Sequence, residues 1–111
     1  MKIENHPNFV VLTDDDNNIQ SFATFLSEQI PNKFEGQNVV VDLLKYDELE
    51  LADLLLFLEI SNNHRKTKQS FVIVNTAIEI DDIPMEMVVV PTLQEAGDII
   101  EMEEIERDLG F

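Results

Sequence analysis

The chain has 111 residues, with 23 Asp and Glu against 7 Lys and Arg, two His and no Cys, a formal net charge of −16 at neutral pH. That length suits one domain, and its 44% of hydrophobic residues, gathered in blocks of Val, Ile, Leu and Phe, exclude a disordered chain and suffice for one core without a disulfide or metal staple. So negative a surface repels nucleic-acid phosphates and anionic lipid, and the lack of cysteine excludes a disulfide framework, a thiolate metal site and a cysteine nucleophile.

The opening stretch Met1-Lys2-Ile3-Glu4-Asn5-His6-Pro7 is polar and lacks the apolar core of a secretory signal. The most hydrophobic window, Leu51 to Ile60, is interrupted by Asp53 and Glu59 and falls short of the roughly 20 residues of a membrane span. A cytoplasmic protein is expected. The first strand is predicted at Phe9-Val10-Val11-Leu12. The Asp14-Asp15-Asp16 run that follows lacks the alternating ligands, turn Gly and closing Glu of a calcium loop. It reads as a solvated turn supplying the cap and first-turn charge of the next helix. That helix carries Ile19, Phe22, Ala23, Leu26 and Ile30 at helical spacing and is predicted to end at Pro31.

Val39-Val40-Val41, Phe71-Val72-Ile73-Val74 and Met87-Val88-Val89-Val90 are continuous apolar runs, the pattern of strands covered on both faces of a mostly parallel sheet. Between the first two, one helix is predicted from Leu51 to Arg65. Its Leu51, Leu54, Leu55 and Leu58 stripe is widened by Leu56, Phe57 and Ile60 almost to the whole circumference, which calls for burial on more than one side or a second subunit. His64-Arg65-Lys66-Thr67-Lys68 complements the dipole at its end. The Asn75 to Glu86 crossover, broken by Asp81, Asp82 and Pro84, reads as a turn or stub packed by Ile78, Ile80 and Ile83.

The last helix opens with a capping box, Thr92-Leu93-Gln94-Glu95. Leu93, Ala96, Ile99 and Ile100 share one side, whereas Met102, Ile105 and Leu109 lie nearly opposite. Either the helix bends after Ile100 or, the favoured reading, its final turns pack against something other than the core under the first turns. A homodimer through Met102, Ile105, Leu109 and Phe111 is one form of that contact. Glu103 and Arg107 stand at ion-pairing distance along the helix. The charge is concentrated here: residues 1–68 hold 12 acids and 6 bases, residues 69–111 hold 11 acids and Arg107 alone. The acids read equally as a surface for a basic partner and as the solvated side of an amphipathic helix. Four short strands alternating with helices predict an α/β layered fold, one domain over residues 1–111 with 101–111 as a helical extension.

Val39-Val40-Val41-Asp42-Leu43, a short linker, an apolar helix, Phe71-Val72-Ile73-Val74 and a last strand leading into Pro91-Thr92-Leu93-Gln94-Glu95-Ala96 resemble the STAS domain, the family of sulfate transporters and anti-sigma factor antagonists. The resemblance spans roughly residues 9–100. It implies a mixed sheet of four or five strands with helices packed mainly on one face, and a regulatory protein-protein interaction module rather than an enzyme. The family's centre is an Asp-Ser-Ser-Gly-like motif whose first Ser is phosphorylated. Anchored on Asp42-Leu43, that motif falls on Glu50, Leu51, Ala52 and Asp53, so the implied partner-binding site carries Leu51 where the phosphorylatable Ser stands. The ending Met102-Glu103-Glu104-Ile105-Glu106-Arg107-Asp108-Leu109 is similar to short STAS-like proteins sometimes labelled ribonuclease Z. That enzyme needs a two-zinc His-x-His-x-Asp-His cluster, and this chain has only His6 and His64, so nuclease activity is rejected.

No other motif supports catalysis, a metal or a cofactor. Ser21, Ser27, Ser61 and Ser70 have no Gly-flanked elbow or paired His. Glu79, Asp81, Asp82 and Glu86 read as a solvated loop, and three glycines at 36, 97 and 110 are too far apart for a phosphate loop.

Overall fold

Two of the continuous valine-rich runs, Val39-Val40-Val41 and Phe71-Val72-Ile73-Val74, lie in the middle of one five-stranded sheet, but the third is corrected: Val88–Val90 is a half-buried edge strand, paired on one side only, in a computed structural model that describes residues 1–110. The strands are β1 (Lys2–Asn5), β2 (Val10–Thr13), β3 (Val39–Asp42), β4 (Phe71–Val74) and β5 (Val88–Val90), lying side by side in chain order. β2 to β5 are parallel, and β1 is antiparallel to β2 with Ile3 opposite Leu12. The chain is therefore mixed α/β. β1 escapes the apolar signal because all four of its residues are exposed.

The period of two along each strand divides the core. Val10, Leu12, Val39, Val41, Phe71 and Ile73 face α1 (Ile19–Lys33), α2 (Leu51–Leu55) and α3 (Leu58–Lys66), whose Phe22, Leu26, Leu54 and Phe57 close that layer. Val11, Val40, Val72 and Val74 face α4 (Leu93–Asp108), which covers them with Ala96 and Ile100. Three helices thus share one face and one helix has the other to itself. A single 3-10 turn, Ile80–Asp82, occupies the short third crossover. Ile78 and Ile83 pack on the core there, but Ile80 is 79% exposed, so its expected packing role is corrected.

Two helix boundaries are also corrected. α1 continues through Pro31 to Lys33, its end sealed by the Phe34 N–H on the Ile30 carbonyl at 3.1 Å. A proline this close to the C-terminus removes one hydrogen bond, to the exposed Ser27, while buried Ile30 and Phe34 hold the turn in place. Pro31→Ala is expected to raise stability by about 1 kcal/mol; an unchanged or lower midpoint in urea unfolding contradicts this. The cap of α1 is Asn18, accepting from the Ser21 N–H at 3.0 Å, rather than an aspartate, and the first turn holds no acid. The predicted Leu51 to Arg65 helix is two helices. Leu56 and Phe57 N–H groups reach back three residues, to Asp53 and Leu54, tightening the turn. This rotates Phe57 fully into the core, with its ring edge-on to Phe22 at 6.3 Å.

No described helix is long and apolar enough to cross a membrane.

Candidate interaction surfaces

The loop between β3 and α2 is fixed before α2 begins. Buried Asn75, just past β4, donates from Nδ2 to the Leu43 and Tyr46 carbonyls at 2.9 and 3.0 Å, while its Oδ1 accepts from the Ala77 N–H at 2.8 Å. The Tyr46 hydroxyl donates to the Asp14 carboxylate, and Lys45 donates to the Asp14 and Asp16 carbonyls. Burial, then the Asp14 hydrogen bond, pushes the Tyr46 phenol well above its ordinary pKa. The Met1 ammonium sits 2.6 Å from Asp15 and holds that carboxyl below its usual value. Asp14 and Asp16 thus tether the end of β2 to this loop, while Asp15 holds the Met1 ammonium. Among the described residues no group of three or more His, Asp or Glu converges as a metal set.

On this fixed base Glu50, Leu51, Ala52 and Asp53 form one turn. The Asp53 carboxylate accepts from the Glu50 N–H at 3.2 Å, and the Leu54 N–H donates to the Glu50 carbonyl. The two acids stabilise the start of α2, as acids do at a helix N-terminus. Leu54 and Phe57 are buried, but Leu51, Leu55 and Leu56 are each about two-fifths exposed, with Ala52 beside them. Leu51 and Leu55 of the predicted stripe therefore lie on the surface with Leu56, while Phe57 and Ile60, which widened the stripe, are buried.

The last turns of α4 are inside out. Glu103 pairs with Arg65 and accepts from Ser70 Oγ at 2.6 Å, and Arg107 donates to Ser70 Oγ at 3.2 Å and Asn38 Oδ1 at 3.3 Å. Asn38 Oδ1 also takes the Ser70 N–H at 2.8 Å, its Nδ2 donates to the Asn8 carbonyl, and Arg65 caps the Phe71 carbonyl. The charges that sequence spacing pairs with each other turn inward instead and meet through the Ser70 hydroxyl. Consequently Met102, Ile105 and Leu109 are 52, 53 and 66% exposed, flanked by exposed Glu101, Glu106 and Asp108. Phe111, the fourth residue of the expected dimer contact, lies outside the described residues.

The basic stretch after α3 is likewise divided. Arg65 is engaged, Lys66 and Lys68 are exposed, and His64 is buried with Nε2 2.7 Å from the Gln37 carbonyl. Burial lowers the His64 pKa below its ordinary 6.5. The unfolded chain therefore binds a proton more readily, so this contribution to stability is complete above pH 6.5 and is lost as pH falls toward the lower folded-state value. The stability difference between wild type and His64→Gln is expected to narrow between about pH 7.5 and about pH 5.5. A constant difference in urea midpoints at the two pH values contradicts this.

Asn38, Ser70 and Asn75 were not singled out by sequence motifs. Their signal is positional: each abuts a doubly covered strand, where a polar side chain at the rim of a buried layer needs partners. Comparison with protein-family models and with curated proteins finds no match to this chain.

Proposed function

We propose that the protein is a non-catalytic regulatory module of the STAS type that works through protein-protein contact, without a phosphorylation switch. The supporting observation is the exposed apolar flank of α2, Leu51, Leu55 and Leu56, presented on a loop that Asn75 and Tyr46 hold in place. Apolar side chains grouped on a rigid base are what a partner's surface desolvates. Leu51 offers no hydroxyl, so binding is constitutive: a serine kinase leaves the turn of Glu50 to Asp53 unmodified. The acids around this flank and along α4 favour a basic partner. The cytoplasm, a reducing compartment, suits a cysteine-free chain.

The ridge of Met102, Ile105 and Leu109 supports a second reading, a homodimer or assembly contact through α4. Exposed Glu101, Glu106 and Asp108 beside the ridge would face their own copies in such a dimer, which favours a cationic partner over self-association. Light scattering on wild type and Ile105→Glu separates the two, since only a dimer through this ridge loses half its mass on substitution.

The principal test immobilises the full chain beside a Leu51→Glu, Leu55→Glu variant and challenges both with native cytoplasm. The wild type is expected to retain a basic protein in stoichiometric amount and the variant to lose it. Retention by both, or by neither, overturns the reading.

A further inference from the structure

α1 and α3 lie side by side on the same face of the sheet, and between them runs a half-open groove of about 890 Å³. Its walls are two helical stripes, one from Gln20 to Pro31 and the other from Leu56 to Thr67. Each spans eleven residue steps, about 16 Å at the helical rise, or three turns of a helix laid alongside. The floor is apolar, made by Ala23, Ile30 and Ile60. The groove stays open because the residues facing across it are short: Thr24 and Ser27 on α1, Asn63 on α3. Phe22 and Leu26, which could have filled it, point into the sheet instead.

The charge of the lining is one-sided. Among the described residues, Glu35 and Glu59 are its only carboxylates, and no Lys or Arg joins them. His64, at the inner wall, stays neutral at pH 7 because burial disfavours its charged form. A phosphate or an anionic lipid head group therefore meets no cation here. A helix with apolar residues along one side and Lys or Arg flanking them meets an apolar floor, hydroxyl and amide walls and two acids at the rim. Leu56 belongs both to this groove and to the exposed flank of α2, so the two surfaces are continuous.

We propose that the groove between α1 and α3 is a docking site for a partner's amphipathic helix with basic flanks, which seats its apolar side chains on Ala23, Ile30 and Ile60 and pairs its cations with Glu35 and Glu59. This rests on the interaction-module reading and names a second surface and its occupant. Association is expected to weaken with salt, because the rim pairs are solvated.

The test uses the full chain as bait for two display libraries of helices of about 14 residues, with Leu, Ile or Phe at i, i+4, i+7 and i+11. One library has Lys or Arg at the remaining positions, the other Asp or Glu. Only the cationic library is expected to yield binders. For a recovered peptide, fluorescence anisotropy should show about tenfold weaker binding to Glu35→Lys, Glu59→Lys. Ser27→Trp, Asn63→Trp, which fills the groove at two exposed positions, should lose at least as much. Leu51→Glu, Leu55→Glu should bind as wild type does. Amide proton chemical shifts of the variants serve as the check that each is folded. Recovery from neither library, or equally from both, overturns the proposal. So does binding that survives Ser27→Trp, Asn63→Trp, which would be adherence to net charge. If that binding instead follows Leu51 and Leu55, the groove is discarded while the interaction module stands.

Discussion

Phe57→Ala is expected to lower stability by about 3–5 kcal/mol, the range for emptying a phenylalanine site in a packed core. Phe57 is fully buried, sits at the junction of α2 and α3, and meets Phe22 of α1 edge-on. The void would lie directly under α2, a helix of five residues with little stability of its own. Its exposed leucines would lose their fixed base, so partner binding should weaken along with stability. Phe57→Leu keeps most of the volume and is expected to lose less than about 1.5 kcal/mol. Urea unfolding of the two variants checks the ratio. Equal losses would mean that the junction relaxes around whatever side chain is there.

Glu103→Ala is the second large effect, expected at about 2 kcal/mol and a fall in melting temperature of about 10 °C. Its carboxylate is shared between Arg65 and Ser70 Oγ, and Arg107 contacts the same hydroxyl. Removing it leaves the Arg65 guanidinium without its carboxylate and the buried Ser70 hydroxyl without its acceptor beside Arg107. Glu103→Gln keeps an acceptor for Ser70 but not the charge, so about half the loss should return. Amide exchange gives a local readout: the last two turns of α4 should exchange faster in Glu103→Ala while Ala96 and Ile100 stay protected. A melting temperature within about 2 °C of wild type would show the latch to be energetically idle.

The parallel strands were legible because burial on both faces demands uninterrupted apolar runs, and Val39-Val40-Val41 and Phe71-Val72-Ile73-Val74 answer to nothing else. The switch of apolar side along α4 was legible too, but its cause was not. Met102 and Ile105 read as partner contacts, and within the chain they face outward because Glu103 and Arg107 turn inward. That inward turn is met by Arg65, Ser70 and Asn38, which are distant in sequence. The α2–α3 break was hidden for a similar reason. No Gly or Pro marks it, since Phe57 is drawn into a core site that Phe22 of α1 helps to form. The turn of Glu50 to Asp53 stands at the start of α2, and its acids act locally on that helix start. The α1–α3 groove left no periodic signal, because short polar residues on a helix surface look alike whether or not another helix stands opposite.

The order of the strands has a consequence for synthesis. Each strand pairs with the one made just before it, so the sheet can grow by accretion as the polypeptide leaves the ribosome. α1, α2 and α3 clothe the first face during that growth. Val11, Val40, Val72 and Val74 must wait for α4, which follows β5 in the chain, and its latch closes only once Glu103 and Arg107 have emerged. At about 5–20 residues per second, a half-clad sheet is therefore exposed for about 1–3 s between the last strand and the latch residues in every round of translation. During that interval the nascent chain, and not the finished protein, is the species most in need of a chaperone.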